Sequence, residues 1–299
     1  MINIRSHLEK IIGCLPPDIR RQLEEQPREI LESLEEIRIY KERPAQIFAA
    51  GRRIQLDGFT SHDSINSILN SLMKFSYYAY EEDMGNGFIT VDGGHRVGIC
   101  GKAVVENGKV RLIREISSLN IRRSREVIGC SDKIQPYLID WKTRQINNIL
   151  IASPPGCGKT TLIRDIARYL SEESYKVAIC DERSEIAGVY NGVSSYRFGP
   201  MVDVLDSCPK AQGMKMLIRA MSPDVVITDE IGQPADIEAI RSCVNSGVSV
   251  ITTVHGKTQD ELSRGIVGQL INEKIFNHII ILTKSPKTGS VKELSLIHI

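Results

Sequence analysis

The residues with the clearest chemical potential are Ser153-Pro154-Pro155-Gly156-Cys157-Gly158-Lys159-Thr160-Thr161. Two glycines free the backbone to wrap closely around an anion, and a lysine follows them directly. Amides in such a loop, and the amide end of the helix it opens, present oriented partial positive charge. This is the pattern of a Walker A loop. Lys159 would reach the β- and γ-phosphates of ATP, and Thr160 would hold Mg2+. Pro155, Gly156, Cys157, Gly158, Thr160 and Thr161 are the other expected contacts with the nucleotide. One departure exists: Ser153 stands where the motif has its first glycine.

Two acids, Asp229 and Glu230, close the apolar run Val225-Val226-Ile227-Thr228. A strand ending this way delivers carboxylates to the edge where ligands bind in open α/β sheets. Asp229 would hold Mg2+ directly or through water, and Glu230 would polarise the attacking water. A second acidic stretch, Asp181-Glu182-Arg183-Ser184-Glu185, follows the apolar Val177-Ala178-Ile179-Cys180 and should emerge at the same edge. Asp181 and Glu185 could orient the water or the metal there, or be solvated loop acids. His255 ends the run Val248–Val254. It could sense the γ-phosphate or hydrogen-bond Glu230; read alone, a strand-end histidine is a surface residue.

These groups need elements to position them. From about Asn147 the sequence alternates apolar strand-like runs with amphipathic helical segments: NNILIA, LIRDIARYL, KVAICD, MKMLIRAMS, DVVITDE, ADIEAIRSCVNSG and VSVITTVH. Alternation of this kind implies βαβ units and a mostly parallel sheet, closed by a β-hairpin from His278 onward. The first ~120 residues read differently, as mixed α+β. A helix over residues 18–36, kinked or split at Pro27, precedes short strands around Arg43-Pro44. A second amphipathic helix over Ser64–Tyr80 places Ile65, Ile68, Leu69, Leu72 and Phe75 on one side. Strands FITV, RVGICGKAVV and VRLI follow, with Asn107-Gly108 as a hairpin turn. The expected domains are residues 1–130 and 131–299.

Composition bounds the function classes. A chain of 299 residues with 41% hydrophobic and 25% charged residues is globular, and its length suggests about two domains. Lys plus Arg is 38 and Asp plus Glu is 37, so the net charge of +1 gives no global pull toward nucleic acid or acidic membranes. A basic stretch, Arg111, Arg114, Arg122, Arg123 and Arg125, has no interleaved aromatics to stack bases. No apolar run approaches the ~18 residues of a membrane span. Charge at Arg5 interrupts the start, so no signal peptide is expected. Seven cysteines without metal-type spacing argue against a disulfide framework or a zinc site.

Leu217-Ile-Arg219-Ala-Met-Ser-Pro223-Asp224-Val-Val-Ile-Thr-Asp229-Glu230 resembles the segment of secretion and pilus ATPases that ends in their Walker B glutamate. Thr252-Thr-Val-His255-Gly resembles their histidine box, and Asp181–Glu185 their aspartate box. DERSEIAG, the run from Val202 to Gly232, GGHRVGICGKAV and ISSLNIRRSREV are similar to the stage III sporulation protein AA family, over most of the chain. Asp229 stands where secretion ATPases usually have glycine.

The resemblance implies a RecA-like P-loop ATPase domain, preceded by a smaller mixed α+β N-terminal domain, assembled as a ring and expected to be a homo-hexamer. It makes His255 a coupler of γ-phosphate loss to the subunit interface, and Arg122 and Arg123 candidate arginine sensors. It also implies a cytoplasmic, mother-cell protein docked through membrane proteins of the channel between mother cell and forespore. Nucleic acid is not an expected partner. An ATP-dependent nucleic-acid-binding protein and a nucleotide-gated scaffold remain the alternatives.

Overall fold

The structure is a computed structural model that describes residues 4–58, 61–76, 80–190, 192–285 and 288–296. The chain divides into two compact units, Met1–Ser124 with Gly188–Ser195, and Arg125–Ala187 with Tyr196–Ile299. The inserted segment 188–195 joins the first unit, a link that strand-and-helix alternation does not announce.

The first unit contains α1 (Ile4–Gly13), α2 (Pro17–Glu24), α3 (Arg28–Ser33), β1 (Leu34–Tyr40), β2 (Arg43–Ala49), β3 (Arg52–Gln55), α4 (His62–Leu72), α5 (Glu81–Gly85), β4 (Phe88–Val91), β5 (His95–Glu106) and β6 (Lys109–Arg122). Its six-stranded sheet has the order β3-β2-β1-β6-β5-β4, with every neighbouring pair antiparallel. One face carries the core. Ile37, Ile39, Ile47, Val97, Leu119 and Ile121 alternate inward and pack with Leu23, Ile65, Ile68 and Leu69 from the helices. Asn107 and Gly108 take φ 52° and 76°, the pair of positive angles that a two-residue hairpin turn requires.

Two expectations for this unit change. The helix anticipated over residues 18–36 is split at Pro27, one of the two outcomes expected of that proline, but gives way to β1 at Leu34. Pro27, at ψ 143°, stands before α3 as its N-cap, because proline has no N–H to continue the α2 ladder. The second helix ends at Leu72, and Lys74 and Phe75 then turn at φ 50° and 59°. Phe75 therefore leaves the apolar face of α4 and is 77% exposed. Residues 77–79 of that expected helix lie outside the described residues. Ser118–Arg122 forms the end of β6, paired with both β1 and β5.

The second unit starts with a short 3-10 turn at Gln135–Tyr137 and the two-residue strands β7 (Ile139–Asp140) and β8 (Gln145–Ile146). Then come β9 (Ile149–Ser153), α6 (Lys159–Glu172) and β10 (Val177–Asp181). Strands β11 (Val189–Tyr190) and β12 (Val193–Ser194) form the hairpin that belongs to the first unit. The second unit resumes with β13 (Val202–Asp206), α7 (Lys210–Met221), β14 (Val225–Thr228), α8 (Pro234–Asn245), β15 (Ser249–His255), α9 (Gln259–Arg264), α10 (Gly268–Asn272), β16 (His278–Thr283) and β17 (Ser290–Leu296).

Its seven-stranded sheet has the order β13-β10-β14-β15-β9-β16-β17. Five neighbouring pairs are parallel and only β16–β17 is antiparallel. Alternate residues split between two cores, as a sheet covered on both faces demands. Leu150, Ala152, Val226 and Val250 pack with α7 and α8 through Met214, Leu217, Ile237 and Ile240. Ile149, Ile151, Ile227 and Ile251 pack with α6 through Leu162, Ile163 and Ile166. Strand β13 was not expected, because Val202-Asp-Val-Leu-Asp206 at the sheet's edge is broken by acids and only half-buried. Among the described residues no helix is long and apolar enough to cross a membrane.

Candidate functional site

Parallel strands that end in register deliver their last residues to one edge. Here His255 of β15 pairs with Ser153 of β9, Thr228 of β14 with Cys180 of β10 and Thr252 of β15, and Asp181 of β10 with Asp206 of β13. The phosphate loop, His255, Asp229-Glu230 and Asp181 therefore emerge together, as the strand pattern required.

Gly156 and Gly158 adopt φ 69° and 86°, a region closed to most side chains. Gly158 is the N-cap of α6 and makes no side-chain cap, so the first amides of the helix face the loop. Pro155 and Gly156 are exposed at its tip, whereas Cys157 turns inward and joins the core beneath α6. Thr160 and Thr161 lie half-buried in the first turn of α6. Ser153, in place of the first glycine, is fully buried. Its hydroxyl donates to the Pro154 carbonyl at 2.8 Å, and Lys159 Nζ donates to its carbonyl at 3.1 Å.

Lys159 opens a line of polar contacts. Its Nζ lies 3.1 Å from His255 Nδ1, and His255 Nε2 lies 2.6 Å from Glu230 Oε1. An ammonium has only protons to offer, so Nδ1 accepts, and Nε2 carries the proton that Glu230 receives. Glu230 Oε2 in turn accepts from Arg183 Nη1 at 3.1 Å. Burial pushes the Lys159 ammonium below its ordinary range, with the charge of Glu230 opposing.

Glu230 is held firmly. Its φ of 37° is a strained position for a non-glycine residue, which persists only when its surroundings over-determine it. Its N–H donates to Thr253 Oγ1 at 2.8 Å, and its carbonyl accepts from Lys210 Nζ at 3.0 Å. Downstream, the Asp236 carboxylate accepts from the amides of Gly232 and Gln233 in a capping box that fixes the entry to α8.

Asp229 is buried, and burial pushes its carboxyl above the ordinary range, with Lys210 opposing. Lys210, itself buried, reaches Asp229 at 3.8 Å and Glu182 at 3.3 Å. Asp181 is completely buried. Its carboxylate accepts from the amides of Glu185, Ile186 and Ala187 at 2.8–3.0 Å, so in this conformation it pins the loop that follows β10. Burial pushes Asp181 up to about 7 against the pull of those amides. Arg164 of α6 clamps the same loop, donating to the carbonyls of Ile186 and Glu185 at 2.7 and 2.8 Å. Glu185 contributes those backbone contacts, and its charge acts on Asp229.

Sequence reading missed Lys210, Arg183, Arg164 and Thr253. Each acts on a partner 20 or more residues away, so no local spacing reports it.

Arg122 and Arg123 end the long strand of the first unit. Arg122 lies 3.7 Å from Glu36 and is largely exposed. The Arg123 guanidinium donates to the carbonyls of Leu31 and Glu32, at the C-terminal end of α3. Arg111 of the same basic stretch pairs with Glu106 and Glu81. Among the described residues, no cluster of three or more His, Cys, Asp or Glu has the geometry to hold a metal.

The sequence model described as sporulation stage III, protein AA matches residues 5–295. The chain belongs to this family. Stage III sporulation protein AA of Bacillus subtilis (strain 168) is 38% identical over 293 residues, which cover 96% of this chain and 94% of that protein. Among solved structures, the ATPase DotB of Yersinia pseudotuberculosis matches with a TM-score of 0.61 at 17% identity, over 90% of this chain and 76% of that one. The pilus retraction motor PilT, solved with ADP, matches with a TM-score of 0.60 at 18% identity, over 90% of this chain and 80% of that one. At such identities the likeness is one of fold. The α/β architecture that the motifs suggested is thus present in this member of the sporulation family, and its fold is like those of DotB and PilT.

Proposed function

We propose that this protein binds and hydrolyses ATP at the strand edge of a RecA-like second unit, and couples that cycle to work on a membrane channel complex of sporulation. The observation that carries the reading is the contact chain Lys159–His255–Glu230 at the mouth of the glycine loop. In it a phosphate-seeking ammonium and a water-polarising carboxylate are joined through one imidazole.

The loop amides and Lys159 would bind the β- and γ-phosphates. Mg2+, when bound with the nucleotide, supplies positive charge to the phosphate oxygens; Thr160 would hold it, with Asp229 reaching it through water. Glu230 would accept a proton from the attacking water, its carboxylate aimed by His255 and Arg183. Loss of the γ-phosphate removes the partner for which Lys159 leaves His255, so His255 and Glu230 would report the state of the nucleotide. Asp181 and Glu185 would act by fixing the loop beside Asp229.

Arg122, exposed at the end of β6, is the better candidate for a charge supplied to a nucleotide, since Arg123 is already engaged with α3. A homo-hexameric ring in the mother-cell cytoplasm, docked on membrane partners, completes the reading. It is supported by family membership and by the folds of DotB and PilT.

The test is steady-state ATP turnover of the purified protein beside Lys159→Ala and Glu230→Gln, with mass followed by light scattering, with and without single-stranded nucleic acid. Turnover lost in both variants, an ATP-favoured oligomer and no response to nucleic acid are expected. Strong stimulation by nucleic acid would overturn the channel reading, and turnover unchanged by Lys159→Ala would overturn the site.

A further inference from the structure

The last parallel strand, β16, also ends at the edge that carries the phosphate loop, and the residue after it is Lys284. A Cβ built on Gly156 would lie 3.3 Å from Lys284 Nζ and 3.6 Å from its Cε. One built on Gly158 would lie 3.6 Å from Thr288 Cγ2 and 3.7 Å from the Cα of Gly289. The two glycines of the loop therefore face Lys284, just after β16, and Thr288 and Gly289, just before β17. Their lack of side chains serves the positive φ angles and also leaves room for an ammonium to lie on the loop. Among the described residues, no carboxylate lies within 4.0 Å of Lys284 Nζ; the ion pairs of this edge involve Lys210, Arg183 and His255 instead.

An exposed lysine normally keeps its charge in water, away from other positive charge. This one rests against a loop whose amides and helix end are already electropositive. Such an arrangement suits a polyanion that both sides can share. Lys159 is turned toward Ser153, His255 and Glu230, beneath the loop. Lys284 lies at Gly156, on the exposed tip of the loop. We infer that Lys284 is a second phosphate-binding lysine, which holds the nucleotide's polyphosphate chain against the loop amides. The inference rests on the nucleotide reading above and adds a ligand that the Walker pattern does not contain.

Fluorescent ATP and ADP analogues titrated into the full-length protein would test it, using Lys284→Gln, Lys284→Arg, Lys159→Ala and Lys292→Ala. Lys292 is an exposed lysine on β17 and controls for general charge removal. The melting temperature without nucleotide is measured for each. Lys284→Gln should bind both nucleotides about tenfold more weakly, equivalent to about 1.4 kcal/mol. Lys284→Arg should recover most of that loss. The nucleotide-free melting temperature should not move, and the dependence of affinity on salt should become shallower in Lys284→Gln, as loss of a phosphate contact requires. Lys292→Ala should match the wild type.

Wild-type affinity in Lys284→Gln, with binding still abolished by Lys159→Ala, would overturn the role of Lys284 and leave the nucleotide site standing. An equal loss in Lys292→Ala would also overturn it, by reducing the effect to general charge. Nucleotide binding by the wild type that Lys159→Ala does not diminish would instead overturn the site itself, and this inference with it.

Discussion

The two sheets of this protein contain similar numbers of strands but use their ends in opposite ways. In the first unit neighbouring strands run antiparallel, so successive strand ends alternate between opposite edges. Several of its cations are engaged by neighbours within that unit. Arg96 lies over Phe88, Arg38 pairs with Glu36, and Arg111 pairs with Glu106 and Glu81. In the second unit the strands β13, β10, β14, β15, β9 and β16 run parallel and end together. Asp206, Asp181, Asp229-Glu230, His255, the phosphate loop and Lys284 follow from those ends. A parallel sheet concentrates chemistry at one edge because topology, not composition, brings the residues together. The first unit has almost as many charges to offer and no comparable edge.

The sharpest way to break this comparison is to remove one cation from each unit. Lys159→Ala should lower ATP turnover by at least about a hundredfold, on the scale of lost transition-state electrostatics. Arg96→Ala in the first unit should leave turnover within about twofold, a ratio that a coupled colorimetric assay resolves directly. Comparable losses in the two variants would mean that the parallel edge holds no privileged chemistry.

Next in size is His255→Ala. The imidazole aims Glu230 without replacing it, so the maximal rate should fall by about tenfold or more while ATP affinity changes little. Rapid-quench kinetics beside equilibrium binding separates the two quantities. A loss confined to affinity would place His255 with the phosphates rather than with the water.

Stability offers a third test. Asp165 on α6 accepts from the amides of Gly129 and Ser131, the Ser131 hydroxyl and Arg168. Burial pushes its carboxyl up, but these donors outweigh it and hold the group below the ordinary carboxylate range. A depressed carboxyl contributes stability that is fully present above its unfolded value and is lost as pH falls through its folded value. Asp165→Asn should therefore cost about 2–3 kcal/mol at neutral pH and flatten the acid limb of a urea-stability profile. An acid limb unchanged by the substitution would contradict the assignment. The smallest effect belongs to Phe75→Ser in the first unit, which should stay within about 0.5 kcal/mol because the ring is already in water.

How much of this was legible follows from which signals are local. The strands β9, β14 and β15 are largely apolar, β-branched runs with buried interiors, and they read directly from sequence. The phosphate loop, Asp229-Glu230 and His255 are contiguous with those runs, so their shared edge was legible as well. Strand β13 was not, because its edge position tolerates acids. Phe75 was misplaced because two positive φ angles turn the chain out of the helix before it, and periodicity cannot register a turn made without glycine or proline. Lys210, Arg183 and Lys284 were invisible for a different reason. Each is an ordinary charged residue until the fold sets it beside a partner far along the chain.

The central claim is that Glu230 performs the hydrolytic step at a site where Lys159 binds the phosphates. The most direct measurement is the identity of the nucleotide that stays bound after one turnover, read by denaturing the complex and separating ATP from ADP. Wild-type protein should yield ADP. Glu230→Gln should retain intact ATP with near-normal affinity, because the amide keeps the shape of the side chain but cannot take a proton. ADP formed by Glu230→Gln at the wild-type rate would contradict the account.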